Sequence, residues 1–221
     1  MAACSLPIVR FSHKTILRRF PSTLRSYLVL GVGETALKKK ILGVTGLSGA
    51  GKTMLCEAVH AQSYDVFSCG QVVKEETMKR GLAVTASTMA AVSLDIRKKE
   101  GPAGVSKRLL SKIKNSKSEV VAVDGVRSLE EVELLQSYSP NTMMIAVHAA
   151  PKIRFGRIMM RGRQDDTKTW EEFNARDRRE LGYGTGNTIA LADKMLLNEE
   201  STDVFLHHID ALLQSIIGQL S

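Results

Sequence analysis

The sequence has 221 residues, of which 43% are hydrophobic, and it carries a formal net charge of +8 at pH 7. This length fits one domain, because domains usually contain about 100–200 residues. Glycine, histidine or charged residues interrupt the apolar runs well before the roughly 18 consecutive apolar residues that a membrane helix needs. The sequence therefore excludes a membrane span and predicts one domain with an ordinary hydrophobic core.

The positive charge is concentrated at the N-terminal end. Residues 1–40 contain eight of the 31 basic side chains and one of the 23 acids, so residues 41–221 are almost neutral. We therefore predict a basic, disordered extension over residues 1–39, and we do not expect nucleic acid to be a partner. The extension has the composition of an organellar transit peptide, but a start codon placed too far upstream produces the same pattern. If it is not a transit peptide, the chain is expected in the cytoplasm.

Short apolar runs alternate with helical segments after residue 40. This alternation predicts an α/β domain of three layers, in which a parallel sheet lies between helices. The predicted strands are residues 41–45, 65–68, 119–123, 142–148 and 194–197. Helices are predicted at residues 52–62, at 129–138, from Pro151 onward, and at 203–220 with Ser201 or Thr202 as the N-cap.

Residues 71–115 are mostly helical in pattern, with interruptions near Gly81 and at Gly101-Pro102. The stretch is long for a simple crossover between two strands of one sheet. We therefore predict an inserted helical subdomain that holds a second substrate.

Residues 46–53 satisfy the pattern G-x-x-x-x-G-K-[ST], with a predicted strand before them and a predicted helix after them. The glycines let successive N–H groups point inward, and the helix N-terminus adds partial positive charge where phosphates sit. We predict that this loop binds ATP or GTP with Mg²⁺, with Lys52 at the β- and γ-phosphates and Thr53 as a magnesium ligand. The predicted nucleotide-binding residues are Gly46, Ser48, Gly49, Ala50, Gly51, Lys52, Thr53 and Met54.

Asp124 ends the predicted third strand, a position from which one acid can bind magnesium directly or through water. In the alternative interpretation, Asp124 only makes a turn with Gly125.

Arginines are concentrated in the second half of the chain. Phosphoryl transfer needs neutralisation and alignment of charge, which arginines supply. Spacings of three and four place Arg154, Arg157 and Arg161 on one helical face. The predicted catalytic residues are Lys52, Asp124, Arg157, Arg161 and Arg163.

A charged, glycine-bounded stretch at residues 163–186 is predicted to be a mobile flap that contains a helix. It carries Arg176, Arg178 and Arg179. The acids of the same stretch would pair with some arginines as a solvated helix surface: Glu171, Glu172, Asp177 and Glu180. Outside the flap, Arg127 is a candidate for binding an acceptor's phosphate or carboxylate, or a plain surface arginine.

Several motifs resemble the P-loop nucleotide kinases related to dephospho-CoA kinase, and most of all an uncharacterised archaeal branch of them. The motifs are GVTGLSGAGKT, CGQVVKEE, GPAGVSKR, VAVDGVRSLEEVE, AVHAAPKIRFGRI, LLNEES and the long flap motif RGRQDDTKTWEEFNARDRRELGYGTGNTIALAD, and the resemblance covers about residues 41–215. It implies a five-stranded parallel core, a helical acceptor-binding region at residues 71–116 and a lid at residues 162–182. It also implies that Asn198 contacts the adenine base.

The predicted acceptor-binding residues are Arg127, Glu75, Arg176 and Arg179. Dephospho-CoA kinases usually have acidic residues just after the second strand, whereas this chain has Ser68-Cys69-Gly70-Gln71 there. Glu75 or Glu76, a helical turn later, is the candidate substitute, with Glu75 preferred.

These residues lead to three functional hypotheses. The first is a kinase that transfers the γ-phosphoryl group of ATP to a nucleotide-like small molecule, either dephospho-CoA or a nucleoside monophosphate. The second is a regulatory or assembly ATPase whose nucleotide-driven lid recruits a protein partner. The third is nucleic-acid binding through the basic extension alone.

Overall fold

A computed structural model describes residues 39–163 and 166–217. The predicted basic extension, apart from Lys39, lies outside these described residues. So do the last three residues of the helix predicted at 203–220.

The centre of the domain is a sheet of five parallel strands in the order β2-β3-β1-β4-β5. The strands are β1 (Lys40–Thr45), β2 (Asp65–Ser68), β3 (Val120–Asp124), β4 (Thr142–His148) and β5 (Lys194–Leu197). The prediction of a five-stranded parallel sheet is confirmed. β3 ends one residue later than predicted, so that Asp124 pairs with Val44 as part of the strand.

Helices cover both faces of the sheet. They are α1 (Lys52–Ala61), α2 (Cys69–Lys79), α3 (Ala86–Glu100), α4 (Gly104–Lys107), α5 (Leu110–Asn115), α6 (Leu129–Tyr138), α7 (Pro151–Arg161), α8 (Trp170–Gly182), α9 (Thr185–Ala190) and α10 (Thr202–Ile217). Ser201 caps α10, since its hydroxyl accepts a hydrogen bond from the Val204 amide at 3.4 Å. Within the described ranges, no helix combines the length and the apolar character needed to cross a bilayer.

The two faces of the sheet define two hydrophobic clusters because successive strand residues point to opposite sides. On one side, Leu42 and Val44 of β1 belong to a cluster with residues of α1 and α10. On the other side, Ile41 belongs to a cluster with residues of α2 to α6. The three-layer arrangement therefore follows from alternation within strands that are apolar on both faces.

The predicted helical insertion consists of α2 to α5, and both predicted interruptions are present. α2 ends in a Schellman turn, in which the Gly81 amide donates to Met78 O and the Leu82 amide donates to Thr77 O. Gly81 has φ +70°, a left-handed conformation that glycine adopts without the penalty of a side chain. α3 then begins at a capping box made by Thr85 and Thr88.

The lid segment, residues 162–182, contains the helix α8. Thr169 caps α8, and Phe173 on its first turns is fully buried. Phe173 stacks on Trp170 at 5.2 Å between ring centroids and lies 5.5 Å from Phe155 of α7. The flap prediction is therefore confirmed for its helix, but this helix is packed on α7 rather than detached from the domain.

Candidate active site

The candidate site lies at the carboxyl end of the sheet, between β1 and β3. The chain leaves β1 toward β2, but it leaves β3 toward β4 on the far side of β1. In open α/β sheets, ligands bind in the crevice that such a reversal creates. The loop after β1 and Asp124 at the end of β3 line this crevice together.

The loop at residues 46–53 has a shape that requires glycine. A Cβ atom at Gly46 (φ +141°) would lie 2.3 Å from Val147 O, and one at Gly51 (φ +111°) would lie 2.2 Å from Asn198 Nδ2. Among the described residues, no side chain caps the N-terminus of α1. Its first amides are therefore available to an anion, as in other phosphate-binding loops.

The Lys52 side chain bonds to the backbone of its own loop. Its Nζ donates hydrogen bonds to Gly46 O at 2.6 Å and to Leu47 O at 3.1 Å. Burial lowers the pKa of Lys52, whereas the carboxylates of Asp124 and Glu180 oppose that shift. The ammonium group is thus tied to the loop, and two nearby acids favour its charged form.

Asp124 and Thr53 fit the donor set that Mg²⁺ prefers. The Ser68 hydroxyl donates to Asp124 Oδ2 at 3.3 Å. Asp124 Oδ1 is buried and has no hydrogen-bond partner in the described part of the chain. A buried carboxylate oxygen without a partner is costly unless a cation or water completes it, and Mg²⁺ takes oxygen ligands. The Gly125 amide donates to Val44 O at 2.9 Å, which fits a turn after Asp124 but gives Asp124 Oδ1 no partner.

The cleft has a volume of about 980 Å³ and brings many of the predicted residues together. Besides the loop it is lined by Thr53, Met54, Asp124, Arg127, Arg157, Arg161, Arg163 and Arg176. Four of these arginines come from α7, the loop after it and α8, which face the phosphate loop. The cleft therefore presents concentrated positive charge to any polyphosphate held by the loop.

Arg154 has a different position from its neighbours on α7. It is 2% exposed, and its guanidinium donates to Ser48 O at 3.1 Å and to Asp177 Oδ1 at 3.0 Å. It also lies over the Phe173 ring, 4.9 Å from the centroid. The helical face predicted for phosphate thus contains one arginine that instead joins the phosphate loop to the lid helix.

Asn198 is buried beside the phosphate loop. Its side chain is 3% exposed, its Nδ2 donates to Ala50 O at 2.9 Å, and its Oδ1 accepts from Arg157 at 3.1 Å. Both ends of the amide are therefore used inside the protein, behind the phosphate loop. The side chain therefore supports the phosphate loop, and its predicted contact with the adenine base stays a prediction.

Asp166 is a site residue that the sequence analysis missed. It is 8% exposed and accepts hydrogen bonds from Arg161 Nε at 2.8 Å and from the Arg163 amide at 3.0 Å. Burial acts to raise the pKa of Asp166, but these bonds hold it below the usual value. Arg161 also lies 3.5 Å from the Ser48 hydroxyl, so Asp166 holds a cleft arginine beside the phosphate loop.

A side pocket extends the cleft between α2, α3 and α8. Its polar lining comes from Ser93, Arg127, Arg176, Arg179, Glu180 and Tyr183, and its apolar lining includes Val73 and Met89. Arg127 and Arg176 line both the side pocket and the main cleft. The predicted acceptor residues Arg127, Arg176 and Arg179 therefore lie together, beside the predicted helical insertion.

Glu131 positions Arg127. Its side chain is fully buried, pairs with Arg97 at 3.0 Å, and accepts a hydrogen bond from the Arg127 amide at 2.7 Å. Arg97 in turn lies under the Tyr183 ring at 4.9 Å. The spacing Ser128-x-x-Glu131 is typical of a helix N-terminus, and it is the signal that could have predicted the contact of Glu131 with the Arg127 amide.

The candidates after β2 lie away from the site. Glu75 is exposed, accepts from Gln71 and pairs with Lys112 at 3.4 Å. Glu76 pairs with Arg80 at 2.7 Å and with Arg108 at 3.0 Å. Neither side chain lines the cleft or the side pocket. The lining of the cleft and side pocket therefore gives no support to Glu75 as an acceptor residue, and its place there stays a prediction.

The parallel sheet, the glycine loop between β1 and α1, and an acid at the end of the neighbouring strand define a P-loop protein with a kinase-like fold. Residues 45–174 match the family described as AAA domain. A UPF0200 protein of Thermococcus gammatolerans is 40% identical over 185 residues, which cover 82% of this chain and 97% of that protein. A UPF0200 protein of Hyperthermus butylicus is 41% identical over 179 residues, 81% of this chain and 96% of that protein.

The chain belongs to the UPF0200 protein family. Among solved structures, shikimate kinase from Bacteroides thetaiotaomicron has a similar fold, with a TM-score of 0.55 at 15% identity. The similarity covers 81% of this chain and 98% of the kinase. The relation to dephospho-CoA kinase is supported only through the P-loop kinase fold that these proteins share.

Proposed function

We propose that this protein transfers the γ-phosphoryl group of ATP to a nucleotide-like small molecule, dephospho-CoA or a nucleoside monophosphate. The observation that carries the proposal is the continuity of two sites. The phosphate loop and a cluster of arginines face one cleft, and a second pocket lined by arginines opens from it. A kinase needs such a second site beside the phosphate loop, where an acceptor can meet the γ-phosphate.

The side chains have separate roles in this proposal. Lys52 binds the β- and γ-phosphates, and Arg161 and Arg163 neutralise charge on the transferred group. Thr53 and Asp124 would hold Mg²⁺, which supplies further charge neutralisation at the phosphates. Asn198 supports the loop through Ala50 O, and Arg157, which donates to Asn198 and lines the cleft, adds positive charge beside the phosphates. Arg127, Arg176 and Arg179 bind an anionic group of the acceptor, because guanidinium groups match phosphate and carboxylate oxygens.

The structural neighbour adds support at the level of the fold. Its name assigns it a small-molecule kinase activity, and the same sheet with a P-loop serves that class of reaction. The acceptor of this chain is proposed from its own side pocket, since one fold hosts many substrates.

An acceptor screen tests the proposal. The full chain is incubated with ATP, Mg²⁺ and, in separate reactions, dephospho-CoA and each common nucleoside monophosphate, and products are identified by mass spectrometry. We expect one acceptor to gain a phosphoryl group while ADP forms in equal amount. Tight ATP binding without any phosphorylated acceptor contradicts the kinase.

A regulatory or assembly ATPase is the second candidate, and the Arg161–Asp166 contact favours it. The γ-phosphate of a bound nucleotide would compete with Asp166 for Arg161, and loss of that contact would rearrange the loop after α7. ATP turnover that requires a protein partner supports this candidate. Acceleration of turnover by a small acceptor argues against it.

A further inference from the structure

Two acids line the cleft and its side pocket among the described residues, and one of them has no role so far. Asp124 lies at the end of β3 beside the phosphate loop. The other acid, Glu180 of α8, lies in the side pocket. It is only 6% exposed, although its sequence context predicts a solvated helix surface. A buried carboxylate in a substrate pocket is a candidate for chemistry.

The end of β2 supplies no acid to the cleft. Ser68, Gly70 and Gln71 line the cleft there. Glu75 pairs instead with Lys112, and Glu76 pairs with Arg108. Phosphoryl transfer to an oxygen nucleophile benefits from a carboxylate that orients the attacking hydroxyl or water. With Asp124 assigned to Mg²⁺, Glu180 is the remaining carboxylate among the described lining residues.

The contacts of Glu180 place it at the junction of the two sites. Its Oε1 accepts from Arg176 Nε at 3.3 Å and lies 3.9 Å from a terminal nitrogen of Arg127. Both arginines also line the main cleft. Burial acts to raise the pKa of Glu180, but Arg127, Lys52 and Arg176 together hold it below the usual value. The carboxylate is therefore ionised at neutral pH and lies within electrostatic reach of the lysine that binds the γ-phosphate.

We propose that Glu180 orients the oxygen nucleophile that attacks the γ-phosphorus of ATP. The nucleophile is the acceptor hydroxyl, or a water molecule when no acceptor is bound. This proposal rests on the proposed function only in placing γ-phosphoryl transfer in this cleft, and it applies equally to ATP hydrolysis.

The nucleophile O–H donates a hydrogen bond to the Glu180 carboxylate, and its oxygen forms a bond to the γ-phosphorus. The bond from the γ-phosphorus to the β–γ bridging oxygen breaks, and its electron pair stays on ADP. The proton of the nucleophile passes to Glu180 and then to solvent. Arg127 and Arg176 keep the carboxylate in place throughout the step.

The test compares Glu180→Gln and Glu180→Asp with the full wild-type chain. ADP release from MgATP is measured without an acceptor and with dephospho-CoA or AMP as probes, and ATP affinity is measured by calorimetry. We expect Glu180→Gln to lower the turnover rate about 100-fold, the lower end of the range for a positioned proton acceptor, with ATP affinity within about twofold. Glu180→Asp should restore part of the rate because it keeps the carboxylate. Glu171→Gln is the matched control, since Glu171 is exposed on the same helix, and it should leave the rate unchanged.

The outcomes separate this proposal from the previous one. Wild-type turnover in a folded Glu180→Gln variant overturns the role of Glu180. Equal losses in both variants together with weakened ATP binding indicate a structural role and also overturn it. If ATP is hydrolysed but no probe is phosphorylated, the kinase assignment fails, whereas the effect of Glu180→Gln on hydrolysis still decides the role of Glu180. A wild-type protein that binds MgATP without turnover overturns both.

Discussion

The two halves of the cleft offer different kinds of binding groups. On the nucleotide side, the binding groups are backbone amides of one continuous loop, whose shape depends on Gly46 and Gly51. On the acceptor side, the binding groups are side chains from separate segments, such as Arg127 after β3 and Arg176 on α8. A loop that binds through its own backbone is specified locally, whereas a pocket made of side chains exists only after the chain has folded. In the proposed function, the first half binds the nucleotide and the second half selects the acceptor.

The largest effect should come from Lys52, the one charged side chain within residues 46–53 of the phosphate loop. Lys52→Ala removes the ammonium that bridges the loop and meets the phosphates. We expect turnover to fall about 1,000-fold, because loss of one preorganised charge at the transferred group costs roughly 3–4 kcal/mol of transition-state stabilisation. Steady-state ADP release measures this change. Lys79→Ala, on the exposed end of α2, is the control and should behave like the wild type.

Loss of the Arg154–Asp177 pair, which joins the phosphate loop to α8, should lower the free energy of unfolding rather than the turnover rate. Asp177→Asn leaves Arg154 buried without its ion-pair partner. Removal of one member of a buried pair costs about 3–5 kcal/mol, which urea unfolding can measure. Arg178→Ala on the same helix, where the side chain is exposed, should change stability by less than about 0.5 kcal/mol. A similar small effect for Asp177→Asn would show that the pair does not join loop and lid.

A smaller and more selective effect is expected on the acceptor side. Arg179→Gln removes a charged donor of the side pocket that does not line the main cleft. Loss of one hydrogen bond to a charged group costs about 1.5 kcal/mol. The KM for the acceptor substrate should therefore rise roughly tenfold. The affinity for ATP should remain unchanged. A parallel loss of ATP affinity would mean that the two halves are not separate sites.

The smallest effect is expected at Glu75, which the sequence places in the acceptor site but which lines neither the cleft nor the side pocket. Glu75→Gln alters exposed contacts with Gln71 and Lys112, and such surface pairs contribute little. Turnover and acceptor KM should both stay within twofold of the wild type. A tenfold loss of turnover would return Glu75 to the acceptor site and would weaken the case for Glu180.

The sheet and the phosphate loop could be predicted because their signals are local. Each of the five short apolar runs, and the glycine-lysine motif, is recognisable within a stretch of about ten residues. All five strands and the loop lie where the sequence places them. Helix boundaries differ by one residue at the end of α1 and at the start of α10, since the ends of helices depend on capping and fray.

The supporting contacts could not be predicted in the same way. Asn198 contacts Ala50 across 148 residues, and Glu131 contacts Arg97 across 34. Helical spacing places Arg154 and Arg161 on one face of α7 but does not show that only Arg154 is buried against α8. Glu180 has the same limitation, because a charged helix has the same composition whether it faces water or a substrate pocket.

The guanidinium of Arg154 contacts Ser48 O and the carboxylate of Asp177 at once, and this has a consequence for how such a protein can diverge. Loss of Asp177 alone leaves a buried cation, and loss of Arg154 alone leaves a buried anion. The two positions should therefore change jointly in natural sequences, by exchange for an apolar pair or not at all. Independent variation at positions 154 and 177 would indicate that the lid helix is held to the phosphate loop by other means.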